Sequence, residues 1–219
     1  LHLAGVKPNK ITDKGIDVIA RKLVEKLLVF FVDSNKPAPK ITIIEEDKSD
    51  MVVLNDYIGP ESDIISIGEK PVEVVSHKTG EVFNFSVQVY KIYYSPITSR
   101  ISLTANKREV TDTPIHQYIP EFKETLFEVT SGKQKNYTVK AYVLGKFLDD
   151  SVPVERDGFK INPERLGKEE GEIIADVSET EIEKAAAKVV KEYFAGEVDK
   201  RSEEKRAKII NYINESAPW

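Results

Sequence analysis

Between residues 82 and 93 the chain alternates in character. Phe83, Phe85, Val87, Val89 and Tyr93 fall on one side, while Asn84, Ser86, Gln88 and Tyr90 fall on the other. A period of two is the signature of an extended strand with one apolar and one polar face, so this run predicts a strand and rules out a helix here. Its neighbours continue the pattern. Residues 72–77, VEVVSH, lead through Lys78-Thr79-Gly80 into the long run, and after Ser95-Pro96 the residues Ile101, Leu103 and Ala105 alternate up to the polar tripeptide Asn106-Lys107-Arg108. Thr113-Pro114 reads as an N-cap with proline in the first helical position, which predicts a short helix of about two turns. Two more strands are expected at about 125–130 and 136–144, joined by a turn over Ser131-Gly132-Lys133-Gln134-Lys135-Asn136.

The flanks read differently. Ile16, Ile19, Leu23, Leu27 and Phe30 or Phe31 recur at helical spacing between charged residues, which predicts an amphipathic helix over 13–32. ITIIEE at 41–46 and MVVLN at 51–55, separated by polar residues, predict a hairpin. From residue 164 the composition turns polar, and GKEEGE at 167–172 reads as a surface linker. Beyond it, Ser178 and Glu181 have capping-box spacing, and Val177 is placed to staple onto Ile182. Ile182, Ala186, Val189, Val190 and Tyr193 make one stripe. Gly196 interrupts, and a second helix carrying Ala207, Ile210 and Ile213 is expected to run to about Glu215. These elements add up to an α+β chain with a mainly antiparallel sheet.

Composition removes several classes of chemistry. The chain of 219 residues has no cysteine, which excludes thiolate metal sites, disulfides and cysteine nucleophiles. His2, His77 and His116 are scattered without paired metal-ligand spacing, so no metal site is expected. A net charge of −5 counts against a blanket attraction to nucleic acid. No apolar run approaches the roughly 20 residues of a membrane-spanning helix, so no membrane partner is expected. The chain opens with Leu1 and its only methionine is Met51, which reads as a piece of a larger protein. Phosphate-binding glycine loops, zinc-protease motifs and nucleophile elbows do not occur.

Two polar clusters at strand ends remain. Asn106-Lys107-Arg108 is one, and DDSVPVERDGF at 149–159 is the other. By composition alone, solvent exposure accounts for the first and a local ion pair worth well under ~1 kcal/mol accounts for the second.

The segment ISLTANKREVTDTPIHQYIP at 101–120 resembles the strand, turn and helix of the transducer domain in MutL-type mismatch-repair ATPases. That pattern is approximately apolar-Val-Asn-Gly-Arg-x-Val followed by a helix. Ala105-Asn106-Lys107-Arg108-Glu109-Val110 falls on it in register, with Lys107 where that family has glycine. SVPVERDGF at 151–159 is similar to the same domain's second motif, a loop after a strand that carries a lysine near a proline and ends in an aromatic residue. The order of segments over about 15–219 resembles prokaryotic proteins in which such a domain follows an ATPase domain of the GHKL superfamily, which includes gyrase B, a heat-shock chaperone family, histidine kinases and MutL.

The resemblance implies a fold and a role. The fold is that of the second domain of ribosomal protein S-five, a sheet with helices on one face. Residues 1–59 would form a connecting helix and β-hairpin, 60–163 the transducer-like domain, and 164–219 a linker with C-terminal helices. In these families a basic residue of a transducer loop reaches the γ-phosphate of ATP bound in the preceding domain and stabilises the transferring charge. Arg156 is the residue that matches by motif, with Lys160 and Lys146 as alternatives, and a guanidinium suits phosphate. Asn106, Lys107 and Arg108 carry over as a structural corner with an anion contact as the lesser option. The nucleotide domain's Asn-bearing helix, its Asp-x-Gly-x-Gly segment and its glycine-rich lid are not in this sequence. ATP and magnesium are therefore expected in a full-length parent and not in this fragment, which is expected to be non-catalytic by itself. The expected partners are the chain's own N-terminal ATPase domain and, at full length, a second copy, in a cytoplasmic protein.

Two other readings stand beside it. One is an interaction or scaffold module with no nucleotide link. The other is nucleic-acid binding through Lys107, Arg108, Lys133 and Lys135, opposed by the net charge.

Overall fold

A computed structural model describes residues 15–31, 38–45, 50–94, 98–130, 132–153, 158–161 and 177–216. They fall into two compact units, residues 1–62 and 63–219.

In the first unit, helix α1 (Ile16–Phe31) packs against a two-stranded hairpin, β1 (Thr42–Glu45) and β2 (Asp50–Val53), and against a 3₁₀ turn at Leu54–Tyr57. Asn55 fixes the entry to the hairpin. Its Oδ1 accepts the Ile41 backbone N–H at 3.0 Å, and its Nδ2 donates to the Pro39 carbonyl at 3.3 Å. The buried line on α1 is Ala20, Val24 and Leu28 with Val29, whereas Ile19, Leu23 and Phe30 of the expected stripe are more than a third exposed. The helix is apolar on two adjacent faces, and periodicity alone does not say which one meets the hairpin.

The second unit is α+β. Its sheet has the strand order β3-β4-β8-β5-β6, with β7 paired to the first half of β8. The strands are β3 (Ile64–Val75), β4 (Val82–Ile92), β5 (Arg100–Ala105), β6 (Arg108–Pro114), β7 (Leu126–Thr130) and β8 (Lys133–Leu144). Every pairing is antiparallel except β5 with β8. The alternation in the sequence decides the faces. Phe85, Val87, Val89, Ile101, Leu103, Ala141 and Val143 turn towards one core.

That core is completed by the short helix α2 (Lys146–Ser151) and by α3 (Glu179–Tyr193). Helix α3 lies across β3, β4, β5 and β8, and buries Ile182, Ala186, Val189 and Val190. Its start follows the sequence signal. The Ser178 hydroxyl accepts the Glu181 backbone N–H, Glu181 accepts the Ser178 backbone N–H in return, and Val177 and Ile182 are buried in the same core. Helix α4 (Ala195–Ser216) follows, with Val198 in the core and Arg201 donating to the carbonyls of Glu121 and Thr125 at 2.9 and 2.8 Å.

Gly196 does not interrupt the last two helices: the break falls at Phe194, and Gly196 lies in the first turn of α4. Two further expectations are corrected. Thr113-Pro114 does not open a helix: β6 runs through Pro114, and only 3₁₀ turns follow at Ile115–Gln117 and Pro120–Lys123. The Thr113 hydroxyl is donated to Glu183 of α3 at 2.6 Å, and the Ile115 N–H pairs back to the Ser99 carbonyl at 2.9 Å. Ile119 is extended before Pro120, as the residue ahead of a proline prefers to be, which stops a helix from growing. The last correction concerns the turn placed at 131–136: β8 already begins at Lys133, because the β7–β8 hairpin closes tightly with Gly132 at φ 75°. The polar linker expected at 164–172 lies outside the described residues.

Candidate functional site

Of the residues singled out by motif, Asn106, Lys107, Arg108 and Lys146 lie where β5 and β8 end. Parallel strands end on the same side of a sheet, so the β5–β6 turn and the β8–α2 junction come out next to one another. The Thr104 hydroxyl donates to the Val143 carbonyl at 2.8 Å and fastens the two strand ends.

Asn106 and Lys107 form the turn between β5 and β6. Ala105 pairs with Arg108, which leaves two residues in the loop, with φ of 49° at Asn106 and 63° at Lys107. Two consecutive positive φ values in a two-residue hairpin are the geometry of a type I′ turn, whose favoured sequence is Asn-Gly. Asparagine tolerates that region. Lysine does so at a cost of about 1 kcal/mol. Arg108 begins β6 and is exposed. An amide followed by cations at a strand end is therefore, first of all, turn chemistry.

The turn is tied to the next element. The Asn106 backbone N–H donates to Asp149 Oδ1 at 2.6 Å, which joins the β5–β6 turn to α2. Gly145 precedes α2 because nothing larger fits: a Cβ there would meet Phe85 Cδ1 at 2.6 Å and the Asn84 carbonyl oxygen at 3.1 Å. Lys146 is exposed on α2, and Leu148 is buried beneath it. Beyond α2 the Lys160 N–H returns to the Ser151 carbonyl at 2.8 Å, and Ile161 is buried in the core. Lys160 itself is exposed. Arg156 lies at 154–157, outside the described residues.

Three clusters escaped the sequence reading. On the second face of the sheet, Lys140 of β8 reaches across β5 to Glu109 and Asp112 of β6, at 3.1 and 3.2 Å. Tyr142 donates to Glu109 at 3.0 Å, Arg100 to Asp112 at 3.0 Å and Ser102 to Asp112 at 3.1 Å. Near the β7–β8 hairpin, Lys91 and the Tyr93 hydroxyl both donate to Glu128 at 2.7 Å, and these bonds hold its carboxyl below the ordinary range. Lys91 also lies 4.4 Å from the centre of the Tyr137 ring, and Lys135 lies 3.9 Å from that of Tyr93. Lys135 of that hairpin is thus engaged with an aromatic ring, and Lys91 of the neighbouring β4 with a ring and a carboxylate. On α3, Glu183 is buried and accepts from Thr113 and from the Tyr118 hydroxyl, while burial and the Glu183 charge raise Glu179 to about 6. The alternation of β8 places Lys140 on the polar face, but which carboxylates it meets depends on strand order, which no local pattern carries.

Among the described residues no group of three or more His, Asp or Glu side chains is placed to hold a metal ion, and no helix is long and apolar enough to cross a membrane. Comparison with known proteins finds no matching family model, no similar curated protein and no similar solved structure.

Proposed function

We propose that this chain is a non-catalytic transducer module of a GHKL-type ATPase, coupling ATP binding and hydrolysis in a preceding domain to conformational change downstream. The observation that carries the reading is the β5–β6 turn. The transducer pattern has glycine at the position that Lys107 occupies, and here that position has φ 63°, a conformation that favours glycine. The match in register thus has a physical reason: Asn-Gly-Arg is what a two-residue turn between these strands selects, and Asn106-Lys107-Arg108 makes the same turn. The α+β architecture, with α2 and α3 packed into one core against the sheet, is compatible with the role.

In this reading Arg156 supplies the cation for the γ-phosphate, and Lys146 and Lys160 are the alternatives from the same corner. The segment that carries Arg156 departs from Ser151 and returns at Lys160, whose backbones are hydrogen-bonded. A fixed base would let the segment that carries Arg156 respond to phosphate without disturbing the sheet. The test is Arg156→Ala in a protein that carries its nucleotide domain. ATP turnover should fall by at least about tenfold, with folding intact, because a transition-state contact is removed. Wild-type turnover would reject the assignment.

One observation favours a second reading, an interaction module without nucleotide coupling. Ile209, Ile210, Tyr212 and Ile213 near the end of α4 are all at least half exposed. ATP turnover that ignores the whole corner, together with loss of a bound partner on substitution of these residues, would establish that alternative.

A further inference from the structure

We propose that β6 is a strap fastened chiefly by charge, and that Lys140 is the positioning residue that holds it and keeps the β5–β6 turn in place. Strand β6 lies at the end of the sheet order and contains no buried residue. An edge strand without apolar anchors depends on its backbone ladder and on whatever its side chains can hold. What they hold is Lys140. Its side chain starts on β8, where Lys140 pairs with Arg100 of β5, and its ammonium ends between Glu109 and Asp112 at 3.1 and 3.2 Å. The lysine is 8% exposed, so water reaches its ammonium poorly, although the Glu109 and Asp112 side chains keep 20% and 37% exposure. Tyr142 braces Glu109 and Arg100 braces Asp112, so two cations and two carboxylates neutralise one another.

The strap has one strong end and one weak end. At its C-terminal end Thr113 is bonded to Glu183 and Ile115 is fully buried. At the other end lies the turn, with two positive φ values and the Asn106 tie to Asp149. Among the described residues, the two buried side-chain atoms that lack a hydrogen-bond partner, Arg100 Nε and Thr111 Oγ1, lie on β5 and β6. Such groups cost stability where they sit, here opposite Pro114 and at mid-strand, on the strap and the strand it pairs with. Loss of the Lys140 charge would leave two carboxylates facing each other and release the strap from the turn inwards. This inference deepens the transducer reading only in giving the turn a nucleotide-facing use; the strap itself does not depend on that reading.

The experiment is amide hydrogen exchange on the whole chain, wild type against Lys140→Met and Lys140→Arg. Exchange in residues 106–112 should accelerate by about tenfold or more in K140M while α3 and β4 keep their protection, and K140R should restore most of it because it retains the charge. Glu109→Gln, which removes one carboxylate from a less buried position, should show the same pattern more weakly, and it serves if K140M does not fold. Unchanged exchange in 106–112 in the folded variants would overturn the proposal. So would acceleration spread evenly over β4, β8 and α3, which would make Lys140 an ordinary core residue. Failure of the transducer reading would appear separately, as Arg156→Ala with normal ATP turnover alongside the predicted exchange pattern.

Discussion

Gly145 and Phe85 touch where a side chain would have to be. A methyl group on Gly145 would lie 2.6 Å from Phe85 Cδ1, and the phenylalanine is itself only 3% exposed. Phe85 meets Phe147 edge to face, with ring centres 6.2 Å apart. Gly145→Ala should therefore destabilise the second unit by about 1–3 kcal/mol, the usual cost of overfilling a packed core. Denaturant unfolding checks it, and a loss below about 0.5 kcal/mol would show that Phe85 gives way freely.

At the β5–β6 turn the sign is reversed. Lys107 adopts φ 63°, so Lys107→Gly should leave stability unchanged or raise it by up to about 1 kcal/mol, while Lys107→Val should lower it by at least about 1 kcal/mol. Equal stability of the two variants would mean that the turn is not held in this conformation.

Helix α3 begins at a reciprocal cap. The Ser178 hydroxyl accepts the Glu181 N–H at 3.2 Å, and Glu181 accepts the Ser178 N–H at 2.9 Å. Ser178→Ala should cost about 1 kcal/mol, measured by the same unfolding, and Ser178→Asp should cost much less because it keeps an acceptor at the N-cap. The first turn of α3 should also exchange faster in the alanine variant.

Glu179 gives a pH dependence with a definite sign. Burial first, and the Glu183 charge second, raise its carboxyl to about 6 from an ordinary 4.5. The folded state therefore binds this proton more tightly than the unfolded one. Its contribution to stability is fully present below pH 4.5 and is lost as the pH rises through 6. Glu179→Gln should remove the loss. At pH 7 the variant should be more stable than wild type by about 1 kcal/mol, a figure already discounted for the solvent that reaches this half-buried side chain, and the difference should close below about pH 4.5. Unfolding curves at pH 4, 5, 6 and 7 test this, and a constant difference across that range would assign the effect to something other than ionisation.

The strands were legible wherever one face is apolar and the other polar. Phe83, Phe85, Val87, Val89 and Tyr93, and Ile101 and Leu103, fall on the core side as their alternation requires, and the box at Ser178 opens a helix as its spacing requires. Where an element is apolar on two faces, as α1 is, spacing named a face the structure leaves partly exposed, since the choice is made by the hairpin packed against it. Thr113-Pro114 misled for a related reason: the threonine hydroxyl has a better partner in Glu183, which is 70 residues away in sequence. At the candidate site the turn at Asn106-Lys107 was visible as a polar interruption, and its conformation explains it. The Lys140 network was not visible, because it needs β5 to lie between β8 and β6, and that order is a property of the whole sheet.

The most direct test of the transducer account is amide exchange in a protein that carries both this chain and its nucleotide domain, with and without a non-hydrolysable ATP analogue and magnesium. The account predicts that the analogue protects the β5–β6 turn and residues 152–161 by about tenfold or more, and that Arg156→Ala abolishes the protection without changing exchange in β4 or α3. Identical exchange at this corner with and without the bound analogue would contradict it.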